Sequence, residues 1–238
     1  DAQESRGLGD VYKRQDKYHS FIKEMAFDLQ EKLDECKNDD NIRCIVITAE
    51  GKAFCAGQDL SEATDPNGPS LDTIVNTHYN PIVRKIRSIE KPVIAAVNGV
   101  AMGGGFEIAL ACDLIIASDN ATFALPEPKV GLAALAGGMH RLPRQIGMKR
   151  AMGMMLTGRT VKAEEGKDLG FVNEVVSQNE LLNRAEEWAN MIMECSPVSI
   201  RTTKNVAQNG LNYSSIEEAM NEKYESVKTL FNLSLIHI

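Results

Sequence analysis

Two glutamates lie in surroundings that are otherwise apolar. Glu107 belongs to the segment FEIALAC, directly after three glycines, and Glu127 lies between two prolines in FALPEPKVGL. Burying a carboxylate is costly unless it has a partner or a function. Taken singly, each is more often an exposed or capping residue. Two of them beside rigid or glycine-rich segments are a candidate pair for acid–base catalysis.

Two glycine-containing segments are able to bring backbone amides close to a ligand. They are KAFCAGQDL (52–60) and NGVAMGGGFEIALACD (98–113), and each follows a short apolar run. The three glycines at 103–105 precede a predicted helix, whose N-terminus suits an anion or a polarised oxygen. Close packing of that helix on a strand explains the glycines equally well. Because Ile108 stands where a GxGxxG motif needs its last glycine, a dinucleotide-binding fold is not supported.

The hydrophobic pattern predicts an α/β fold with parallel strands. Short apolar, β-branched runs predict buried strands, and apolar residues spaced by three and four predict helices. The predicted strands cover 42–48, 92–97, 113–117, 121–125 and 171–176. The predicted helices cover 20–37, 74–89 with a bend or restart near Pro81, 143–156, 162–169, 179–195, 198–209 and 214–231. Strands that alternate with helices are typical of parallel sheets, and only helices are predicted after Pro197.

Composition argues against several classes of function. A net charge of −7, without a long basic run, disfavours a nucleic-acid-binding surface. No apolar stretch approaches the ~18 residues that span a bilayer, so we expect a soluble protein without a membrane partner. The five cysteines show no CxxC spacing and the four histidines are dispersed. This disfavours disulfides and a metal site, and it fits a reducing, cytoplasmic compartment.

Both ends of the chain are unusual. The sequence begins at Asp1 rather than Met, and residues 1–15 mix charge and glycine without periodicity. We therefore expect this segment to be non-native or disordered. A cleaved targeting peptide is also compatible with such a start.

Four ordered segments resemble the crotonase (enoyl-CoA hydratase/isomerase) superfamily, from about Asp16 to Tyr224. They are AFCAGQDL, AVNGVAMGGGFEIALACDLIIAS, FALPEPKVGLAALAGGMHRLPRQIG and MLTGRTVKAEEGKDLGFVNEVV. The resemblance implies a ββα spiral core with parallel sheets over 16–196, which would bind acyl-CoA. It implies a C-terminal helical region over 197–238 that serves oligomerisation, and a homotrimer or a dimer of trimers (a hexamer).

The resemblance also implies an oxyanion hole. The backbone N–H groups of Gln58 and Gly104 would hold the thioester oxygen and stabilise an enolate-like anion. The residues that match the family's substrate contacts are Ala53, Cys55, Ala56, Gln58, Asp59, Leu60, Gly103 and Gly104. Coenzyme A is part of the substrate. Because the thioester is itself the electron sink, neither a metal nor another cofactor is implied.

The same resemblance implies roles for the two glutamates. Glu107 and Glu127 match the catalytic pair of the family's hydratases and would hold one water between them. Glu107 would act mainly as base toward that water, and Glu127 as acid toward the α-carbon. Since the two carboxyls titrate as a coupled pair, this division stays open. The expected activity is reversible hydration of a 2-enoyl-CoA, a lyase reaction of fatty acid metabolism.

Three alternatives accompany this expectation. One is a Δ3,Δ2-enoyl-CoA isomerase, a branch that tends to keep only the second glutamate. Another is a carnitinyl-CoA-dehydratase-like enzyme, disfavoured because that branch carries an aspartate where this chain has Leu135. The third is a non-catalytic CoA-binding or RNA-binding homologue. The glutamate pair argues against a catalytically dead protein, and the acidic balance argues against RNA.

Overall fold

Within residues 14–237, eight short strands form two sheets of four strands each. The computed structural model describes residues 14–237, with side chains as far as residue 232. The strands are β1 (Ile45–Ile47), β2 (Ala53–Cys55), β3 (Val93–Val97), β4 (Val100–Met102), β5 (Leu114–Ser118), β6 (Thr122–Ala124), β7 (Val161–Lys162) and β8 (Glu174–Val176). One sheet has the order β1-β3-β5-β8 and the other β2-β4-β6-β7. The first six strands alternate between the sheets, so the chain advances as a spiral. All pairs are parallel except β6 with β7.

Helices connect and follow these strands. The α-helices are α1 (Lys23–Asn38), α2 (Leu60–Ala63), α3 (Leu71–Ile74), α4 (Asn80–Ser88), α5 (Gly104–Ala111), α6 (Gly138–Ile146), α7 (Met148–Thr157), α8 (Ala163–Leu169), α9 (Leu181–Met193), α10 (Pro197–Gly210), α11 (Ile216–Asn221) and α12 (Glu225–His237). A π-helical segment, Val75–Tyr79, joins α3 to α4. Three short 3-10 turns lie at Gln15–Lys17, Glu127–Val130 and Gln178–Glu180.

The fold class predicted from the sequence is confirmed: an α/β fold with parallel sheets and C-terminal helices. Pro81 lies in the first turn of α4, so the predicted restart is confirmed as well. Strands β2, β4 and β7 were not predicted, because two or three residues beside glycines or polar residues give no recognisable period. The predicted helix at 214–231 is divided into α11 and α12, and α2 lies in a stretch for which no element was predicted.

Helix α5 is buried on every side, which explains its uniformly apolar sequence. All eight of its residues are buried, Glu107 included. Phe106 packs against Phe123 and Phe171, with ring centroids 5.2 and 5.1 Å away. A helix that is apolar all around its circumference needs neighbours on all faces. Strand β3, also fully buried, belongs to the same core.

The C-terminal helices are tied to the core by polar contacts. Lys204 on α10 forms an ion pair with Asp113 at 2.7 Å, and Gln208 donates to the same carboxylate at 2.7 Å. Thr202 donates to the Ser226 carbonyl of α12 at 3.0 Å. The domain boundary at residue 197 stays a prediction, and residues 1–13 lie outside the described part of the chain. Within residues 14–237, no helix is both long and apolar enough to cross a membrane.

Candidate active site

The predicted site residues follow three neighbouring strands of one sheet. Strands β2, β4 and β6 are parallel, and Cys55 pairs with Ala101 while Met102 pairs with Ala124. Their carboxyl ends therefore lie at one edge of the sheet. Ligands of parallel sheets bind beyond that edge. The loop with Gln58, the three glycines and Glu127 follow these strand ends, so they are placed where a ligand can bind.

The first loop exposes one backbone donor. Phe21 N–H donates to the Gly57 carbonyl at 2.7 Å, and Asp59 N–H donates to the Phe21 carbonyl at 2.9 Å. This strand-like pairing directs the N–H of Gln58, the residue between them, away from Phe21. That N–H has no hydrogen-bond partner among residues 14–237. It is therefore free to bind a ligand oxygen.

Asp59 fixes the end of the same loop. Its carboxylate accepts hydrogen bonds from the N–H and the hydroxyl of Ser61, at 2.9 and 2.7 Å, and forms an ion pair with Arg14 at 2.8 Å. The Ser61 hydroxyl and Arg14 hold the pKa of this carboxyl well below its usual range. Asp59 is thus an ionised N-cap of α2 that keeps the neighbouring Gln58 amide in place.

The three glycines are required by close contacts on two sides. A Cβ at Gly105 would lie 2.2 Å from the Cys55 carbonyl oxygen, and one at Gly104 would lie 2.2 Å from Tyr79 Cε1. Gly103 has φ +52° and borders Glu127, whose Oε1 is 3.1 Å from the Cβ position. Helix-on-strand packing therefore explains Gly105. Gly104 opens α5, where the first-turn N–H groups have no partner within the helix.

The two loops are in direct contact. A Cβ at Gly57 would lie 3.5 Å from the Gly104 nitrogen and 3.0 Å from the Met102 carbonyl oxygen. The residue after Gly57 is Gln58, so the two unpaired amides belong to adjoining backbone segments. Such a pair of N–H groups, one at a helix N-terminus, is suited to stabilising a developing oxyanion.

Glu107 is a buried carboxyl that accepts hydrogen bonding from the backbone. Its exposed fraction is 3%, and Oε1 accepts a hydrogen bond from the Gly138 N–H at 2.8 Å. Burial raises the pKa of Glu107 to about 7, and the charge of Glu127 adds to the rise. The backbone N–H groups of Gly138 and Ala136 oppose it. A carboxyl with a pKa near neutrality exchanges protons readily at physiological pH.

Glu127 also borders the glycines, at Gly103. Pro126 and Pro128 flank Glu127 at the start of a 3-10 turn, which fixes the backbone of this residue. Its Oε2 is buried and has no hydrogen-bond partner among the described residues. Burial raises the pKa of this carboxyl too. Both glutamates thus have raised pKa values, and the charge of Glu127 contributes to the rise at Glu107.

No feature of the sequence singles out Tyr79, which borders the same site. Its ring lies against Gly104 and packs on Phe21 with centroids 5.4 Å apart. Tyr79 is 5% exposed, and its hydroxyl has no hydrogen-bond partner within the described residues. The residue ends the π-helical segment before α4, a local geometry that helical periodicity does not reveal.

The remaining residues predicted to contact substrate surround the first loop. Ala53 and Cys55 are buried within β2, and burial raises the pKa of the Cys55 thiol to about 12. Such a thiol is an inert packing group rather than a nucleophile. Ala56 donates its N–H to the Tyr18 carbonyl at 3.0 Å, and Leu60 is exposed. Their contacts with substrate stay a prediction.

No described group of side chains resembles a metal site. Across residues 14–237, no cluster of three or more His, Cys, Asp or Glu side chains is arranged to hold a metal ion.

Comparison with known proteins agrees with this fold. An enoyl-CoA hydratase from Bacillus anthracis superposes with a TM-score of 0.86 at 33% identity, covering 94% of this chain and 85% of that one. The fold therefore defines an α/β protein of the crotonase class. A family model described as Enoyl-CoA hydratase/isomerase matches residues 11–233, and the chain belongs to this family. Crotonase-family enzymes typically work without a cofactor.

Curated relatives carry several activities. The chain is 42% identical to a 1,2-epoxyphenylacetyl-CoA isomerase of Escherichia coli K12, over 74% of this chain and 68% of that protein. It is 40% identical to a short-chain-enoyl-CoA hydratase of Clostridium acetobutylicum, over 75% of this chain and 69% of that protein. It is 41% identical to a carnitinyl-CoA dehydratase of E. coli K12, over 76% of this chain and 69% of that protein. Identity at this level establishes the family and leaves the reaction to be argued from the site.

Proposed function

We propose that the protein is a hydro-lyase that adds water reversibly to the double bond of a 2-enoyl-CoA. The observation that carries the proposal is the coupled carboxyl pair: Glu107 has a pKa raised to about 7, in part by the charge of Glu127. Hydration needs one group that accepts a proton from water and one that delivers a proton to carbon. Two carboxyls with raised pKa values close to the glycines supply both.

The thioester oxygen would bind at the unpaired amides of Gln58 and Gly104. As water attacks the β-carbon, electrons move from the double bond onto this oxygen and form an enolate. Two preorganised N–H donors stabilise that charge, and loss of one such donor typically costs about 10²–10³ in rate. Since both donors are backbone groups, the side chain at Gln58 does not enter this step.

Glu107 would take the proton from the attacking water, and Glu127 would deliver a proton to the α-carbon. The C–O bond forms at the β-carbon while the enolate collapses to the thioester. The net result is one added water, with one proton moved from Glu127 to Glu107. Transfer of that proton back between the coupled carboxyls restores the starting state.

Crotonyl-CoA turnover tests this assignment. The decrease in ultraviolet absorbance of the enoyl thioester should be rapid with the unaltered protein. Glu107→Gln and Glu127→Gln should each reduce kcat by roughly 10²–10⁴, the range typical for general acid–base groups. The exposed Glu186 on α9 provides the control, and Glu186→Gln should keep the original rate. Full activity in both site variants would refute the assigned roles.

A double-bond isomerase is the second candidate. It is favoured by the similarity to a solved structure of a monofunctional enoyl CoA isomerase from M. smegmatis, 33% identical with a TM-score of 0.75. An isomerase moves one proton between carbons and needs a single carboxyl. It predicts that Glu107→Ala is tolerated while Glu127→Ala is not, whereas hydration requires both groups. Turnover of a 3-enoyl-CoA by Glu107→Ala would therefore favour isomerisation.

A further inference from the structure

A buried hydroxyl lies beside the catalytic pair without a partner. Tyr79 Oη has no hydrogen-bond partner among the described residues, and the same is true of Glu127 Oε2. Both residues border the glycines that open α5: the Tyr79 ring lies against Gly104, and Glu127 Oε1 lies against Gly103. Two unsatisfied polar atoms therefore flank the same short stretch of backbone.

The hydroxyl end of Tyr79 is the part that reaches the site. A Cβ placed at Gly104 would lie closest to two ring atoms of Tyr79, Cε1 at 2.2 Å and Cζ at 2.6 Å. Cζ carries the hydroxyl. Burial raises the pKa of Tyr79 well above its usual value, and the charge of Glu107 adds to the rise. The hydroxyl therefore stays protonated and remains a hydrogen-bond donor.

The two unpaired atoms are chemically complementary but do not pair with each other. Tyr79 Oη donates a hydrogen bond, and Glu127 Oε2 accepts one, either as the ionised carboxylate or with the proton carried on Oε1. A group that satisfies both must accept from the tyrosine and donate to the glutamate. Water and the hydroxyl of a 3-hydroxyacyl-CoA both do this, whereas a methylene or a carbonyl oxygen does not.

We propose that Tyr79 is a third catalytic group, whose hydroxyl donates a hydrogen bond to the oxygen that is added to or removed from the β-carbon. Glu127 accepts a hydrogen bond from that same oxygen. The inference rests on the proposed hydration activity and assigns a partner to the reacting oxygen. It predicts that the site discriminates acyl-CoA ligands by a hydroxyl group on the β-carbon.

The melting temperature of Tyr79→Phe distinguishes a catalytic role of the hydroxyl from a purely structural one. A buried hydroxyl without a partner destabilises the folded state, and an apolar group of the same shape does not. Tyr79→Phe keeps the ring on Phe21 and Gly104 and removes only the unsatisfied oxygen. The variant should melt at the same temperature as the unaltered protein or at a higher one, although it binds and reacts less well.

The experiment compares two ligands in Tyr79→Phe by calorimetry. Affinity for 3-hydroxybutyryl-CoA should fall by roughly 5- to 30-fold, as expected for one lost hydrogen bond. Affinity for butyryl-CoA, which lacks the hydroxyl, should change by less than about twofold. With crotonyl-CoA, kcat should fall by about tenfold while KM stays nearly constant, because the water is positioned only for the chemical step. Tyr213→Phe, which removes a surface hydroxyl bonded to Glu222 at 2.8 Å, is the matched control.

The outcomes separate the inference from the function on which it rests. A selective loss of 3-hydroxybutyryl-CoA affinity supports the role of Tyr79, even if the unaltered protein does not hydrate crotonyl-CoA; the hydration proposal alone would then fail. Equal affinities for both ligands in Tyr79→Phe and the unaltered protein would overturn the inference. A lower melting temperature with equal losses for both ligands would assign Tyr79 a packing role only, which also overturns it.

Discussion

At the scale of single residues, the site is governed by the free energy of burying Glu107. Its exposed fraction is 3%, and its Oε1 accepts a hydrogen bond from the Gly138 N–H at 2.8 Å. Desolvation disfavours the ionised form, so the carboxyl binds its proton more tightly than it does in water. Catalysis by a base at neutral pH depends on this same shift, which links activity to stability.

The pH profile of hydration follows from that pKa. If Glu107 is the base and Glu127 the acid, kcat/KM should rise with pH as Glu107 ionises near pH 7 and should fall again at higher pH as Glu127 loses its proton. The initial rate with crotonyl-CoA between about pH 5 and pH 8 gives the profile. A rate that is constant across that range would exclude Glu107 as the base. The Glu186→Gln control should reproduce the original profile.

The same shift predicts that Glu107→Gln stabilises the folded protein at high pH. The pKa of Glu107 is about 7 when folded, compared with an ordinary value of 4.5. The folded state therefore binds the proton more tightly, and stability falls as pH rises from the ordinary value to about 7. Removing this titration should raise the free energy of unfolding by ~1–3 kcal/mol at about pH 8, and by less at about pH 5.

Urea unfolding of Glu107→Gln at both pH values measures the change in the free energy of unfolding. Asp59→Asn removes a carboxyl whose pKa is shifted in the opposite direction. The pKa of Asp59 is lowered, so its contribution to stability is present above its ordinary value and is lost only in more acidic solution. Between about pH 5 and pH 8 the Asp59→Asn loss should be constant. A Glu107→Gln difference that is equally constant would contradict the electrostatic account.

At the scale of elements, the contact between α5 and β2 fixes the site. Gly105 is the point at which the helix meets the strand, because a Cβ there would lie 2.2 Å from the Cys55 carbonyl oxygen. Neither backbone can shift without displacing the amides of Gln58 and Gly104. The precision of the proposed oxyanion hole therefore depends on a glycine that contacts no ligand.

Gly105→Ala should destabilise the protein by about 3 kcal/mol, because overpacking a rigid core forces the backbone to move. Gly153 in α7 is the matched control, since a Cβ there has no atom within 4 Å. Gly153→Ala should stabilise the protein by about 0.5–1 kcal/mol through the helix propensity of alanine. Denaturant unfolding of both variants measures the two effects. Equal effects at the two positions would contradict the close contact.

The sequence predicted the long elements better than the short ones. Helix α1 is long enough to show its helical period, and strands β3 and β5 are long enough to be recognised as apolar runs. Each lies within about three residues of the predicted bounds. Strands β2 and β4 are three residues long and adjoin glycines, so local pattern does not distinguish them from loops. Those two strands nevertheless carry Gln58 and the three glycines to the edge of the sheet.

The candidate site shows the same division. Glu107 and Glu127 were recognisable because a carboxylate among apolar residues is unusual, and the amides of Gln58 and Gly104 because glycines surround them. Tyr79 has no such signal: an aromatic residue in an amphipathic pattern is most often a core residue. Its approach to Gly104 depends on the π-helical segment Val75–Tyr79, which only the folded chain reveals.

At the scale of the whole molecule, the C-terminal helices present apolar side chains to solvent. Ile216 and Met220 on α11 are 80% and 79% exposed, and Leu211 before them is 64% exposed. Ile216 and Met220 are four residues apart and share a helix face. A cluster of exposed apolar groups is typical of a protein interface. This agrees with the predicted trimer or dimer of trimers, which stays a proposal.

Light scattering should give a mass of three or six copies of the 26.1 kDa chain. The double variant Ile216→Glu with Met220→Glu should shift the mass toward a single copy, because charges placed in an apolar interface are strongly destabilising. Asn221→Glu adds charge to the same helix at an exposed polar position and should leave the mass unchanged. A single-copy mass for the unaltered protein would contradict the assembly.

The fate of the oxygen and hydrogen of water tests the central claim most directly. The protein is incubated with crotonyl-CoA in water labelled with heavy oxygen, and separately in deuterated water, and the products are analysed by mass spectrometry. Hydration by the carboxyl pair predicts 3-hydroxybutyryl-CoA with one heavy oxygen on the β-carbon and, in the second solvent, one deuterium on the α-carbon. Incorporation of both labels should slow by roughly 10²–10⁴-fold in Glu107→Gln and Glu127→Gln. Recovery of unlabelled acyl-CoA, or of a product with deuterium but no heavy oxygen, would contradict the hydratase account.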